Sequence, residues 1–188
     1  MLYSNGIGPL ERKGNIKKTK KILDKVDLIT LRDERSYKTL REIGIENKNV
    51  KVTADPALDL DIADEKLGKA ILKNEGVPSD KKLLGVSVRK WQNLGSDFET
   101  QIANACDYAY EKYGYYTVFL PMQSSRDTAI MQNIKRKMKH ESAIIKKRYS
   151  VEGMLSIIKC FDMCIGMRLH TLIYAAINSV PLIGLVYD

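Results

Sequence analysis

A short segment near the end of the chain places a cation and an imidazole beside a sharp turn: Gly166-Met167-Arg168-Leu169-His170. It follows a short apolar stretch and precedes an apolar helical pattern, so we expect a strand that turns into a helix. A helix N-terminus attracts anions because its first N–H groups lack partners and its dipole is positive there. Arg168 adds a planar cation suited to phosphate or carboxylate, and His170 can transfer a proton near neutral pH. The segment therefore predicts an anion site with acid–base capacity. The alternative is that both side chains only cap and solvate the helix start.

Polar residues also end other predicted strands. Arg32 and Asp33 follow the apolar run Leu28–Leu31, and Arg89 follows Leu83–Val88. Ligands of open α/β sheets bind outside the carboxyl ends of the strands, which makes these residues functional candidates. An arginine at the end of an apolar strand is costly to desolvate without an anion, which favours a ligand role for Arg89. Asp33 is either a base or acceptor for a sugar hydroxyl, or an N-cap with nearby salt bridges.

Three further motifs are less specific. The segment Asn5-Gly6-Ile7-Gly8-Pro9 is either a tight turn or a loop that approaches a ligand, and it lacks the Gly-Lys-Ser/Thr ending of a P-loop. Asp55-Pro56 forms a turn or faces a ligand. At the start of a late helix, Ser150 fits an N-cap and Glu152 fits the helix dipole, although Glu152 is also a candidate ligand residue.

Short apolar runs alternate with amphipathic helical patterns along the whole chain, from Leu28–Leu31 to Pro181–Val186. Such alternation predicts βαβ units, parallel sheets and right-handed crossovers. The fold class is therefore α/β with Rossmann-like parallel sheets. The hydrophilic stretch from Asp59 to Asp64 resembles a boundary, which predicts a partial α/β domain over residues 1–62 and a fuller one over residues 63–188.

Composition restricts the class of partner. The chain has 188 residues, 44% of them hydrophobic, and a net charge of +8, which is typical of a globular protein with an acidic partner. The lysine-rich runs lack interleaved aromatic residues, so we expect no nucleic-acid binding; an anionic small molecule or an anionic membrane surface explains the charge as well. One run is predicted on an early helix, at Lys17, Lys18, Lys20, Lys21 and Lys25, and the other on a late helix and strand, from Lys135 to Arg148.

The cysteines and the N-terminus bear on location. Cys106, Cys160 and Cys164 are odd in number and form no CxxC pair, so we expect buried thiols in a reducing compartment. The first residues carry no secretory signal pattern. We therefore predict a cytoplasmic protein, with the inner face of the membrane as a further expected location.

Taken together and in order, these motifs resemble those of the bacterial polysaccharide pyruvyl transferases that decorate cell-wall polysaccharides. The most specific match is the Gly-Met-Arg-Leu-His element. The other matching segments, in chain order, are Ile29–Glu34, Ala54–Ala57, Gly85–Arg89, Phe119–Met122 with Asp127, Tyr149–Glu152 and Pro181–Asp188. The resemblance covers nearly the whole chain.

The resemblance implies an architecture like that of B-type glycosyltransferases and transfer of pyruvate from phosphoenolpyruvate to a sugar or lipid-linked saccharide as a cyclic ketal. It implies no cofactor and no metal. Arg168, Leu169 and His170, with Gly166 before them, match the phosphoenolpyruvate-binding element, and Arg89 would be a further donor ligand. The chemistry of ketal formation also needs a proton donor and a base: His170 would be the general acid or would balance charge on the leaving phosphate, and Asp33 would be the base for the sugar hydroxyl. The facing domain would place the acceptor near Arg32, Asn5 and Gly6.

The match starts part-way through the first domain of the family and stops at Tyr187-Asp188, so we expect one domain to be incomplete. Two other functions stay open. One is a nucleotide-sugar glycosyltransferase of the same architecture, because a helix tip with an arginine also suits a diphosphate. The other is an inactive or basic binding fragment.

Overall fold

The computed structural model of the protein describes residues 1–91, 95 and 97–186. Contacts divide the chain into two compact units, Met1–Leu60 and Asp61–Asp188. The division lies inside the hydrophilic stretch from Asp59 to Asp64. Tyr187 and Asp188, which end the last matching motif, lie outside the described residues.

In the first unit, the described residues form a three-stranded parallel sheet of order β1-β2-β3. The strands are β1 (Leu2–Asn5), β2 (Ile29–Leu31) and β3 (Val50–Val52), and the helices are α1 (Lys13–Leu23), α2 (Glu34–Glu42) and a 3₁₀ turn (Pro56–Asp59). The hydrophobic core beneath this sheet consists of Leu23, Ile29, Leu31, Leu40 and Ile45. Burying these side chains is what holds so small a sheet together.

The first strand was not predicted from the sequence, and its burial explains why. In β1 only Ser4 is buried, and Tyr3 is largely exposed, so the strand lacks an apolar run. A strand that carries little apolar surface gives no periodicity signal. It is held instead by backbone pairing with β2 and by the Ser4 N–H, which donates to Thr30 Oγ1 at 2.7 Å.

In the second unit, the described residues form a five-stranded parallel sheet of order β6-β5-β4-β7-β8. The strands are β4 (Lys82–Ser87), β5 (Tyr115–Phe119), β6 (Ser142–Ile144), β7 (Met163–Gly166) and β8 (Leu182–Gly184), and the helices are α3 (Glu65–Asn74), α4 (Phe98–Tyr113), α5 (Ser124–Lys137), α6 (Val151–Lys159) and α7 (Leu169–Ile177). Strand order reverses at β4, between its neighbours β5 and β7. Such a switch point is where doubly wound sheets bind ligands.

One core cluster of the second unit lies where β4 and β5 pack against α4 and α5, with Val86, Cys106, Phe119, Met131 and Ile134 fully buried. The apolar runs that predicted strands, Leu28–Leu31, Leu83–Val88 and Pro181–Val186, agree with β2, β4 and β8 to within two residues at each end. The parallel strands and the α/β class predicted from the alternation are therefore confirmed.

Some local predictions were wrong. The basic residues from Lys146 to Arg148 follow β6 instead of lying on it, and Lys25 follows α1. Cys106 and Cys164 are buried, but Cys160 is only partly buried because it lies at the C-terminal end of α6. Among the described residues, no helix is both long and apolar enough to cross a bilayer.

Candidate functional site

A cavity of about 500 Å³ opens at the switch point of the second unit. Arg89 reaches it from the end of β4 and Arg168 from the end of β7, because adjacent parallel strands end at the same edge of the sheet. The remaining lining residues are Lys90, Trp91, Arg126 and Asp127. Among the lining residues that the structure describes, four are cations and one is a carboxylate, so the cavity presents a positive potential to an anion.

The guanidinium of Arg168 is held by two side chains from the β5–α5 segment. Its Nη2 lies 2.5 Å from Asp127 Oδ1 and donates to Gln123 Oε1 at 3.2 Å. Asp127 is fully buried, and its Oδ2 accepts the Gln123 backbone N–H at 2.9 Å. The Arg168 side chain is 17% exposed. A carboxylate fixed at both oxygens therefore sets the orientation of Arg168, which still reaches the cavity.

The second arginine of the cavity is supported by an aromatic ring. The Arg89 guanidinium carbon lies 4.8 Å from the centre of the Trp91 ring. A guanidinium stacked on an indole keeps its charge and orients its plane. Two arginines from adjacent strands thus border one cavity with defined orientations.

Gly166 ends β7 and packs against the first turns of α7. A Cβ on this residue would lie 2.9 Å from Leu172 Cδ2, so a larger residue would displace the end of the Leu172 side chain. Arg168 occupies the N-cap position without a side-chain capping bond. Its carbonyl oxygen accepts the Thr171 N–H at 3.0 Å, and a helix start of this kind attracts anions through its dipole.

Three predicted site residues are not brought to this cavity. His170 and Leu169 lie exposed on the first turn of α7, and neither is among the cavity's lining residues. The His170 ring is 6.1 Å from the ring of Tyr174. Glu152 is exposed in the first turn of α6, which Ser150 caps by accepting the Gly153 N–H at 3.2 Å. The roles predicted for these three residues remain predictions.

The first unit brings its own predicted residues together at the carboxyl ends of its strands. Arg32 Nη1 donates to Asp55 Oδ2 at 3.1 Å, and its Nε lies 3.4 Å from Asp33 Oδ2. A Cβ on Gly6 would lie 2.7 Å from Arg32 Nε, so the guanidinium packs directly on the loop backbone. The Arg32 N–H donates to the carbonyl oxygen of Asn5 at 3.3 Å. Asn5, Gly6, Arg32 and Asp33 thus form one polar cluster.

Asp33 is an N-cap. Its Oδ1 accepts the Ser36 N–H at 2.7 Å at the start of α2. Partial burial acts to raise the pKa of Asp33, but hydrogen bonds from Ser36 and the charge of Arg32 outweigh it and hold the pKa below its usual value. The capping interpretation is confirmed, and the carboxylate is a weaker base than an unperturbed one.

Across the part of the chain that the structure describes, no group of three His, Cys, Asp or Glu side chains is placed to hold a metal ion.

A model of the polysaccharide pyruvyl transferase family matches residues 1–188. The chain belongs to the polysaccharide pyruvyl transferase family. This family consists of transferase enzymes, and the match spans both units. No curated protein matches the sequence.

Solved structures place this family member among glycosyltransferase-like folds. A family 9 glycosyl transferase from Veillonella parvula has a TM-score of 0.55 at 12% identity, over 94% of this chain and 63% of that one. A UDP-GlcNAc 2-epimerase from Methanocaldococcus jannaschii has a TM-score of 0.61 at 17% identity, over 84% of this chain and 45% of that one. The UDP-GlcNAc 2-epimerase from Neisseria meningitidis has a TM-score of 0.60 at 12% identity, over 94% of this chain and 48% of that one.

At these identities the likeness concerns the fold alone. It confirms the predicted α/β class with an architecture like that of B-type glycosyltransferases. The chain spans less than two thirds of the length of each of these three structures.

Sequence reasoning missed several residues around the cavity of this pyruvyl transferase family member. Asp127 was noted only as part of a matching segment, and Arg126 and Lys90 were not singled out. Both Arg126 and Asp127 lie in the first turn of a helix that follows a strand, which is a signal that could have placed them at the ligand edge. Trp91 carries no such signal, because its position depends on the path of the chain after β4.

Proposed function

We propose that this protein transfers pyruvate from phosphoenolpyruvate to two hydroxyls of a sugar in a surface polysaccharide, forming a cyclic ketal. The observation that carries the proposal is the cavity at the switch point, into which Arg89 and Arg168 both reach. Phosphoenolpyruvate carries a phosphate and a carboxylate on the same carbon, and two guanidinium groups suit two such anions. Membership of the family supports the reaction class.

The cavity is suited to a small, doubly anionic donor. Arg168 is held by Asp127, so its fork stays in one orientation as a ligand enters. Its Nε is buried without a hydrogen-bond partner among the described residues, and an acceptor oxygen would relieve that cost. Exposed Lys90 and Arg126 at the rim add long-range attraction for anions.

In the proposed reaction, one sugar hydroxyl adds across the double bond of phosphoenolpyruvate, and a second hydroxyl then replaces the phosphate. A proton adds to the methylene carbon of phosphoenolpyruvate, and a sugar hydroxyl oxygen bonds to the neighbouring carbon. The bond from that carbon to the phosphate oxygen then breaks, and a second hydroxyl oxygen takes the vacated position. Of the two protons released by the hydroxyls, one replaces the proton given to the methylene carbon and the other leaves with inorganic phosphate.

Side-chain roles follow from this chemistry. Arg168 and Arg89 would hold the phosphate and carboxylate, and would stabilise the charge that builds on the leaving phosphate. His170 is exposed and lies two residues after Arg168 in the sequence. It would deliver the proton to the methylene carbon or to the leaving phosphate. In the first unit, Arg32, Asp33, Asn5 and Gly6 offer donors and acceptors to sugar hydroxyls, with Asp33 as the proposed base.

Calorimetric titration with phosphoenolpyruvate tests the proposal directly. We expect binding that is tighter than that of inorganic phosphate or of pyruvate, because each of those ligands satisfies only one of the two arginines. Replacing Arg89 or Arg168 by Ala should weaken binding by about 10²-fold, the effect of losing a charge-assisted bidentate contact. The matched control is Arg136→Ala, an exposed arginine in the last turn of α5.

The same titration with UDP separates the proposal from a nucleotide-sugar transferase. Binding of UDP without binding of phosphoenolpyruvate would overturn the pyruvyl donor assignment. Binding of neither ligand would contradict a donor site in this chain. Product formation is then followed by the mass increase of a saccharide acceptor on formation of the ketal.

A further inference from the structure

The helix α1 carries an unusual concentration of lysines on one side. It has Lys13, Lys17, Lys18, Lys20 and Lys21, and no acidic residue lies in its first turn. At about 3.6 residues per turn, Lys17, Lys18 and Lys21 share the side opposite to the buried Leu23. Lys25 continues this row one turn later. The four lysines of this outer row are all exposed.

The outer row is not neutralised by neighbouring carboxylates. Within the described ranges, Lys17, Lys18, Lys21 and Lys25 form no ion pair. The nearby acid Asp24 is already engaged: its Oδ2 lies 3.1 Å from Lys20 Nζ, and its Oδ1 accepts the Glu46 N–H at 3.0 Å. Lys20 points away from the row and also bonds the carbonyl oxygen of Gly44. The outer lysines therefore keep their charges for a partner.

Two further features of this face indicate whether its partner is a lipid bilayer or a nucleic acid. Ile22, 62% exposed, lies beside Lys18, Lys21 and Lys25 on the helix surface. Gly14 lies in line with the lysine row, and a Cβ there would meet nothing within 4 Å, so the backbone is open to a flat surface. A row of cations beside an exposed apolar side chain suits a bilayer, which offers anionic headgroups with acyl chains beneath them. Duplex DNA offers the charge but no apolar layer.

We propose that the outer face of α1, formed by Lys17, Lys18, Lys21, Lys25 and Ile22, docks on an anionic lipid bilayer. This inference is independent of the donor site and concerns where the protein works. Lysines next to an anionic surface act through charge, and the single isoleucine adds only a shallow insertion. The association is therefore reversible and weakened by salt.

Co-flotation with vesicles of equal parts phosphatidylglycerol and phosphatidylcholine tests the surface. We expect the protein to float with these vesicles but not with pure phosphatidylcholine. The triple variant Lys17→Gln, Lys18→Gln, Lys21→Gln should lower the partition coefficient by about 10²-fold, since each lysine near an anionic surface contributes about a factor of five. The matched control replaces Lys38, Lys48 and Lys51, three exposed lysines of the same unit, by Gln.

A second variant separates a bilayer from a nucleic acid. Ile22→Gln should weaken vesicle binding by about 10-fold while leaving any binding to random duplex DNA unchanged. Equal losses in the α1 triple variant and the control triple variant would show that net charge alone drives binding, and would overturn the proposal. Tighter binding to duplex DNA than to the vesicles, with no effect of Ile22→Gln on either, would also overturn it. Thermal unfolding of each variant checks that the first unit remains folded.

Discussion

Asp127 Oδ1 lies 2.5 Å from Arg168 Nη2, while Oδ2 of the same carboxylate accepts the backbone N–H of Gln123 at 2.9 Å. The carboxylate is fully buried and joins the start of α5 to the start of α7. It thus reduces the net charge of the cavity and also fixes the cation in it. A carboxylate in an anion site weakens the attraction for the anion, but here it also preorganises the guanidinium that binds it.

The first prediction concerns this pair. Asp127→Asn places an amide against the Arg168 guanidinium, and an amide cannot both accept from Gln123 and balance the charge. We expect a loss of about 2–4 kcal/mol in the free energy of unfolding, because a largely buried cation loses its partner. We also expect weaker phosphoenolpyruvate binding despite the more positive cavity. Urea unfolding and calorimetry measure the two effects; tighter ligand binding in this variant would show that Asp127 acts only by repulsion.

The second prediction concerns the shape of the cation. Arg168→Lys keeps the charge but replaces a planar fork by a point charge on a flexible chain. We expect phosphoenolpyruvate affinity to fall by about 10-fold or more, because a bidentate contact is lost. Arg136→Lys at the exposed end of α5 is the control and should bind like the unmodified protein. Equal affinities in the two lysine variants would mean that only net charge matters at the site.

The sequence was sufficient to select Arg89 and Arg168 as ligand candidates, and the structure adds that their strands β4 and β7 are neighbours. Both follow apolar strands, and parallel strands that are neighbours end together. It was not sufficient to predict the partner of Arg168, because Asp127 lies 41 residues away and meets it only through the packing of α5 and α7. Side chains that face a ligand edge can be inferred from the chain order, whereas their mutual contacts depend on helix packing.

The placement of His170 shows a second limit of sequence reasoning. The turn before α7 was predicted, and Arg168 and His170 were expected to act at one anion site. Arg168 is an N-cap residue with extended backbone, so the side-chain spacing of the helix does not extend to it. Arg168 precedes the helix and turns toward the cavity, while His170 stays exposed on the first turn.

The third prediction uses that separation. If His170 transfers a proton but does not bind phosphoenolpyruvate, His170→Ala should lower turnover by about 10²–10⁴-fold. The dissociation constant for phosphoenolpyruvate should stay within about two-fold of that of the unmodified protein, since the side chain does not line the cavity. Product mass spectrometry gives the turnover and calorimetry gives the affinity. Turnover close to normal would remove His170 from the mechanism.

The fourth prediction separates the two roles of Asp33. Asn is as good an N-cap as Asp but cannot accept a proton, so Asp33→Asn should leave the stability of the first unit nearly unchanged. Asp33→Ala removes the cap of α2 and should cost about 1 kcal/mol. If Asp33 is also the base, both variants should lower turnover by about 10²-fold or more. Normal turnover in the Asn variant would leave Asp33 with its capping role alone.

The fifth prediction concerns alkaline pH. Burial raises the pKa of the Cys164 thiol to about 12, whereas a thiol in the unfolded chain ionises near pH 8.5. Because the folded pKa is the higher one, the stability that the neutral thiol contributes is complete below about pH 8.5. It is lost as the pH rises toward the folded pKa, since only the unfolded chain then releases the proton. Between pH 8.5 and 10 this amounts to about 2 kcal/mol.

Cys164→Ala should remove that part of the pH dependence. We expect this variant to be less stable than the unmodified protein at pH 7, because a buried side chain is truncated, and to lose less of its stability on going to pH 10. Urea unfolding with a reductant present, repeated at several pH values, gives the two slopes. Cys106 and Cys160 titrate in both proteins, so the difference between the slopes reports on Cys164 alone. Parallel slopes would mean that the Cys164 thiol ionises as readily in the folded protein as in the unfolded chain.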